Sequence, residues 1–195
     1  MSLFQGNIRL SDCVSCAAAS DADGNWEDKK ILKAHAIGVN AVCWRPSTAP
    51  STTGLSGTQA VLAKEDSKIK RFVSAGCDNL LKIWKFLEAE DRWIEEHKLE
   101  GHSDWVHDVA WSSSVGLPKS YIASCGRDKR VILWSRDLTS GKWNSKVLHV
   151  FEDTVWHVSW ALMGNLLSVS VGENKTSIWK ETLSGKWICV SNQQH

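Results

Sequence analysis

Apolar residues along this chain come in short runs that alternate with polar ones, and clusters of small polar residues and glycine separate the runs. A period of two marks half-buried strands, and the β-branched residues in the runs favour strands over helices. Three runs end alike, in Val42-Cys43-Trp44, Val109-Ala110-Trp111 and Val158-Ser159-Trp160, each before a loop. Three others close in Leu81-Lys82-Ile83-Trp84, Val131-Ile132-Leu133-Trp134 and Thr176-Ser177-Ile178-Trp179, with an acidic residue (Asp78, Asp128, Glu173) six positions before the tryptophan. A further set follows polar turns: Trp93 after Glu90-Asp91-Arg92, Trp143 after Ser140-Gly141-Lys142, Trp187 after Ser184-Gly185-Lys186, and Trp26 after Asp23-Gly24-Asn25.

The pattern is therefore a repeat. Trp84 to Trp134 is 50 residues and Trp134 to Trp179 is 45, near the ~40–45 residue period of a four-stranded propeller blade. One small sheet cannot bury its faces alone, whereas radial repetition packs each sheet on its neighbours. The expected fold class is all-β, a WD-repeat β-propeller with about three complete four-stranded blades and part of a fourth. Strands are expected near 38–45, 71–75, 80–85 and 93–100 in one blade and near 105–112, 120–125, 130–135 and 142–150 in the next, with a third blade over roughly 154–190. Residues 26–33 would be the outer strand of a preceding blade, and residues 1–25 an irregular remnant of it, in which Val14–Ser20 could form one strand. The domain of blades thus covers 26–195, in three units near 38–100, 105–150 and 154–190. Within it, the Ser-, Thr-, Ala- and Gly-rich stretch at 46–70 reads as a long flexible loop. Three blades and a part fall short of a closed ring, so the expectation is a fragment, an altered splice product or half of an assembly.

Polar residues recur in the same register. His35 and His102 each precede a strand-ending tryptophan by nine residues, and Ser74 and Ser124 each precede an aspartate, Asp78 or Asp128, by four. Two blades therefore carry one ordered set: His35, Ser74, Asp78 and Trp84, then His102, Ser124, Asp128 and Trp134. Serine, histidine and aspartate are the parts of a nucleophilic triad. Against that reading, the set occurs twice, each time ends in an indole donor, and lacks the exposed nucleophile elbow. A buried hydrogen-bond network that pins strand register is expected instead, with no catalytic residues. In the third blade Phe151, Val169 and Glu173 stand where histidine, serine and aspartate would be, so apolar packing must hold it.

Composition narrows the chemistry. Lys plus Arg number 23 against 22 for Asp plus Glu, which gives no field to draw nucleic acid or an acidic membrane, so no nucleic-acid partner is expected. No apolar run approaches a membrane span, and the N-terminus lacks the pattern of a secretory signal, so no membrane insertion and a reducing compartment are expected. Of six cysteines only Cys13 and Cys16 form a C-x-x-C pair, without the second pair a zinc site needs. His102, His107 and His157 with Asp104 and Asp108 lack ligand spacing on a helix, so no metal is expected. Neither a phosphate-cradling nor a dinucleotide glycine motif is found, and no cofactor is expected.

The segments EGHSDWVHDVAWSSSVGLPKSYIASCGRD (Glu100 to Asp128), RFVSAGCDNLLKIWK, VWHVSW and AHAIGVNAVCW carry a resemblance to the Sec-thirteen family, the small WD-repeat subunit of the COPII outer coat. It runs over most of 26–190 and corresponds to the second half of the family chain. The resemblance implies an incomplete, open six-bladed propeller that a large partner closes with a blade of its own. It also implies a non-catalytic scaffold in a hetero-oligomer: with the large coat subunit on the cytoplasmic face of the endoplasmic reticulum and its vesicles, in endoplasmic reticulum to Golgi transport; with scaffold subunits of the nuclear pore complex; and in a nutrient-sensing complex at the lysosomal membrane. Against the family pattern, SCAAASDADGNW looks like a strand joined to a later turn with one strand deleted. Two other readings remain: a WD-repeat substrate-recognition adaptor of another complex, such as a ubiquitin ligase, and an enzyme using one of the Ser-His-Asp sets.

Overall fold

The computed structural model describes residues 8–9, 30–46, 68–113, 121–136 and 142–194. Cys13, Cys16, the expected strand at 14–20 and most of the 46–70 loop lie outside the described residues. The described chain forms strands β1 (Ile8–Arg9), β2 (Lys30–Ile31), β3 (Val39–Trp44), β4 (Arg71–Gly76), β5 (Leu80–Leu87) and β6 (Arg92–Glu100). It continues through β7 (Val106–Trp111), β8 (Tyr121–Gly126), β9 (Arg130–Arg136), β10 (Trp143–Val150), β11 (Val155–Trp160), β12 (Leu166–Val171), β13 (Lys175–Glu181) and β14 (Trp187–Gln194). Strands β3 to β6, β7 to β10 and β11 to β14 make three antiparallel meanders, and β1 pairs with β2. The architecture is a partial WD-type β-propeller. Among the described residues, no helix is long and apolar enough to cross a membrane.

The β1 strand falls inside the segment expected to be irregular. Its Ile8 is buried with Ala34, Val39, Phe72 and Trp84, so β1 packs on the first sheet.

Burial along the second strand of each sheet shows how the sheets stack. All six residues of β4 are buried, as are five of six in β8, whereas β12 alternates half-buried and buried residues. A strand buried on both faces reads as a continuous apolar run, and one buried on a single face alternates. In the first sheet, Phe72 and Trp84 pack with Ile8, while Val73, Ala75, Leu81 and Ile83 pack against Val106, Val109, Trp111 and Ile132 of the second. The second sheet turns Ala123, Cys125, Val131 and Leu133 to Val155, Val158, Leu167, Val169 and Trp179 of the third. Burying side chains of this size stabilises by about 1.5–3 kcal/mol each, so these two seams dominate the cohesion of the described chain. The clusters use only one face of the third sheet.

The innermost strand of each sheet carries a β-bulge at the same point, between Val39 and Ala41, Val106 and Asp108, and Val155 and His157. An extra residue there bends the strand and increases its twist. The alternation in the sequence places the strands but does not reveal these bulges, because one inserted residue leaves the surrounding pattern intact.

Candidate functional site

The two polar sets come together as two closed hydrogen-bond chains. His35, on the link between β2 and β3, reaches Asp78 Oδ1 through Nδ1 at 2.7 Å and Ser74 Oγ through Nε2 at 2.7 Å. Trp84 Nε1 donates to the same serine at 2.9 Å. His102, between β6 and β7, reaches Asp128 through Nδ1 at 2.9 Å and Ser124 through Nε2 at 2.8 Å, and Trp134 Nε1 donates to Ser124 at 2.9 Å. A carboxylate can only accept, so each Nδ1 carries the proton. The serine hydroxyl then donates to Nε2 and accepts from the indole. Every group of the first chain is satisfied with the His35 ring neutral.

Backbone donors complete the geometry. The Ala36 N–H donates to Asp78 at 3.0 Å, and the Ser103 and Arg130 N–H groups donate to Asp128 at 3.0 and 3.2 Å. Burial pushes the His35 ring below its usual pKa, and the Asp78 hydrogen bond and charge only partly oppose this. Burial acts the other way on the Asp78 carboxyl, but the Ala36 N–H and the His35 ring outweigh it and hold that carboxyl below the usual range. For Asp128 the His102 ring and the Ser103 and Arg130 N–H groups likewise outweigh burial.

The geometry is that of a triad, yet each serine oxygen is 0% exposed and already accepts from an indole. A substrate carbonyl has no route to either oxygen. Each histidine sits on the link leaving one sheet and bonds to the second strand and the turn of the next, whose third strand joins through the indole.

In the third sheet Phe151 packs its ring against Trp179 and His149, Val169 is fully buried, and Glu173 is exposed. The Trp179 indole turns to Ser177, two residues away, at 2.9 Å. Sequence reasoning missed Ser177, although a serine two before the tryptophan occurs in this blade and in neither of the others. Among the described residues no group of three or more His, Cys, Asp or Glu is placed to hold a metal ion. The suspected histidines diverge: His102 is bound to Asp128, His107 stacks on Trp156 at 4.5 Å, and His157 pairs with Asp108 across the seam between the second and third sheets.

Among the described residues, the face of the third sheet turned away from the second is uncovered. Register puts Ser159, Ser168 and Ile178 in one row and Leu166, Lys180 and Ile188 in the next. Ile188 and Val190 are 47% and 49% exposed. Hydroxyl and aliphatic side chains thus surround Lys180 on this face, whereas the equivalent faces of the first two sheets are covered by the sheet that follows each.

Comparison with known proteins fits this geometry. The WD domain, G-beta repeat family matches residues 93–135, which run from β6 through β9 and contain the whole second network. The "Protein SEC13 homolog" of Homo sapiens is 51% identical over 172 residues, covering 87% of this chain and 52% of that protein. The Drosophila melanogaster homologue is 48% identical over 178 residues, 91% of this chain and 48% of that protein. "Protein transport protein SEC13" of Mycosarcoma maydis is 42% identical over 210 residues, 93% of this chain and 57% of that protein. The chain spans about half the length of the curated relatives it matches. Identity of this order, laid over a partial WD-repeat propeller, makes the chain similar over most of its length to the SEC13 proteins.

Proposed function

We propose that the chain is a non-catalytic scaffold of the COPII vesicle coat in endoplasmic reticulum to Golgi transport, joined to a large coat subunit that covers the open face of its third sheet with a blade. One observation carries this reading: β4 and β8 are buried along both faces, while β12 is buried along one. A face that lacks its neighbour is an invitation to strand or sheet addition. The name "protein transport protein SEC13" on a relative supports the same role. Membership of the nuclear pore complex and of a nutrient-sensing complex at the lysosomal membrane extends the same architecture to other large partners. The serines' burial supports the non-catalytic part, and neither Ser74 nor Ser124 is expected to react with a fluorophosphonate probe.

The test is recovery of the large coat subunit with a tagged chain from cells, comparing wild type with Ile178→Lys and with Lys129→Glu, which lies away from that face. The expected outcome is loss for Ile178→Lys alone, with the denaturation midpoint little changed. Equal recovery with both variants overturns the assignment of the face. A chain recovered only with chaperones removes the scaffold role from this form.

A further inference from the structure

The third sheet's broken network leaves a groove where the other two sheets are closed. In the first two sheets the space between the incoming link and the second turn is filled by the histidine and aspartate, whose carboxylates are almost wholly buried at 9% and 2% side-chain exposure. In the third, Phe151 cannot bond a carboxylate, so Glu173 points to solvent. A cavity of about 850 Å³ opens between the link after β10 and strands β13 and β14. Its floor carries His149, Phe151 and Trp179 in mutual ring contact, and Ser177 and Asn192 lie side by side along it.

Charge selects the occupant. Glu152, Asp153 and Glu173 line the rim against one ammonium, Lys175, which lies 3.7 Å from Glu152. A second ammonium, that of Lys129, is held on the Glu152 carbonyl oxygen, and the rim still carries a net negative charge. Glu152 is 94% exposed on its side chain, so its pair with Lys175 is open to solvent and to exchange with a ligand cation. We infer that this groove binds an extended peptide segment of a partner in which Arg or Lys alternates with aliphatic residues, the cations on the rim and the aliphatic side chains on the ring floor. Arginine suits both halves, because its guanidinium pairs with carboxylates and its plane stacks on aromatic rings. The site lies on the face of the third sheet that packs towards the second, opposite the face assigned to the closing blade, so it stands whether or not that assignment holds.

The experiment uses the full chain at 0.15 M salt, where weak surface attraction is screened. Its probe is a fluorescein-labelled octapeptide alternating Arg and Leu, with Glu in place of Arg as the control, read by fluorescence polarisation. The Arg peptide is expected to bind and the Glu peptide not to. Reversing the rim with Glu152→Lys and Glu173→Lys, or filling the floor with Asn192→Trp, is expected to weaken binding about tenfold or more. All three positions are exposed, and an unchanged near-ultraviolet circular dichroism spectrum verifies the fold. No binding of the Arg peptide, equal binding of the Glu peptide, or undiminished binding by Asn192→Trp each overturns the proposal, the last by reducing it to charge attraction without a groove.

Discussion

A Cβ placed on Gly76 would overlap the His35 ring and crowd Asp78, so the first network exists because that position has no side chain. At the equivalent point of the third sheet, where no histidine arrives, Val171 stands and is buried. Glycine and histidine are thus one decision made at two positions. Gly76→Val is expected to destabilise strongly alone and far less beside His35→Ala, which removes the ring, a coupling of about 0.5–3 kcal/mol that a double-mutant cycle by urea denaturation would read; additive costs would refute it. Ser124→Ala strands both the Trp134 indole and His102 Nε2, and buried unsatisfied groups cost about 1–3 kcal/mol each, so a loss of about 2–6 kcal/mol is expected. Acid should act through the same residues. The folded His35 pKa lies below its usual 6.5, so as pH falls through that value the unfolded chain takes up a proton that the folded chain refuses. Stability present above pH 6.5 is lost on acidification, and Asp78 and Asp128, also held low, extend the loss below their usual 3.8. Urea midpoints measured between pH 7.5 and pH 4 should fall steadily, and less steeply for His35→Phe.

Among elements, the third sheet differs from its siblings in more than composition. The turns after β4 and β8 place their left-handed residue last, at Asn79 and Lys129, whereas the turn after β12 places it first, at Gly172. Asparagine tolerates that conformation readily, lysine less so, and glycine without cost. With one buried face and no histidine chain, β11 to β14 are expected to exchange amide hydrogens faster than β7 to β10. Mass-spectrometric exchange that finds equal protection would remove this ranking. Most strands were legible because tryptophans recur at strand ends and apolar residues alternate between them. The His-Ser-Asp-Trp grouping was legible because the same four residue types recur at the same spacing. Other features were hidden for physical reasons. A bulge such as the one at His107 leaves the pattern around it intact, the pairing of β1 with β2 depends on burial of Ile8 by distant residues, and the shift of the Trp179 indole to Ser177 depends on local geometry.

At the scale of the molecule, the open face of the third sheet and the exposed Leu32, Ile37, Leu162 and Leu183 predict self-association of the isolated chain. Sedimentation velocity should show species growing with concentration, and Leu166→Lys with Ile188→Lys should shift the distribution towards monomer; an unchanged distribution would place the contact elsewhere. The boundaries of the matched repeat carry a different consequence. Residues 93–135 start with the outer strand of one sheet and end in the third strand of the next, and they hold His102, Ser124, Asp128 and Trp134 together. The sheet itself, 106–150, omits the histidine. A gene segment copied along repeat boundaries therefore inserts a ready-made fastening with each copy, whereas one copied along sheet boundaries leaves a buried serine and aspartate waiting for a histidine from elsewhere. The fastening is therefore complete within the matched repeat and incomplete within the sheet.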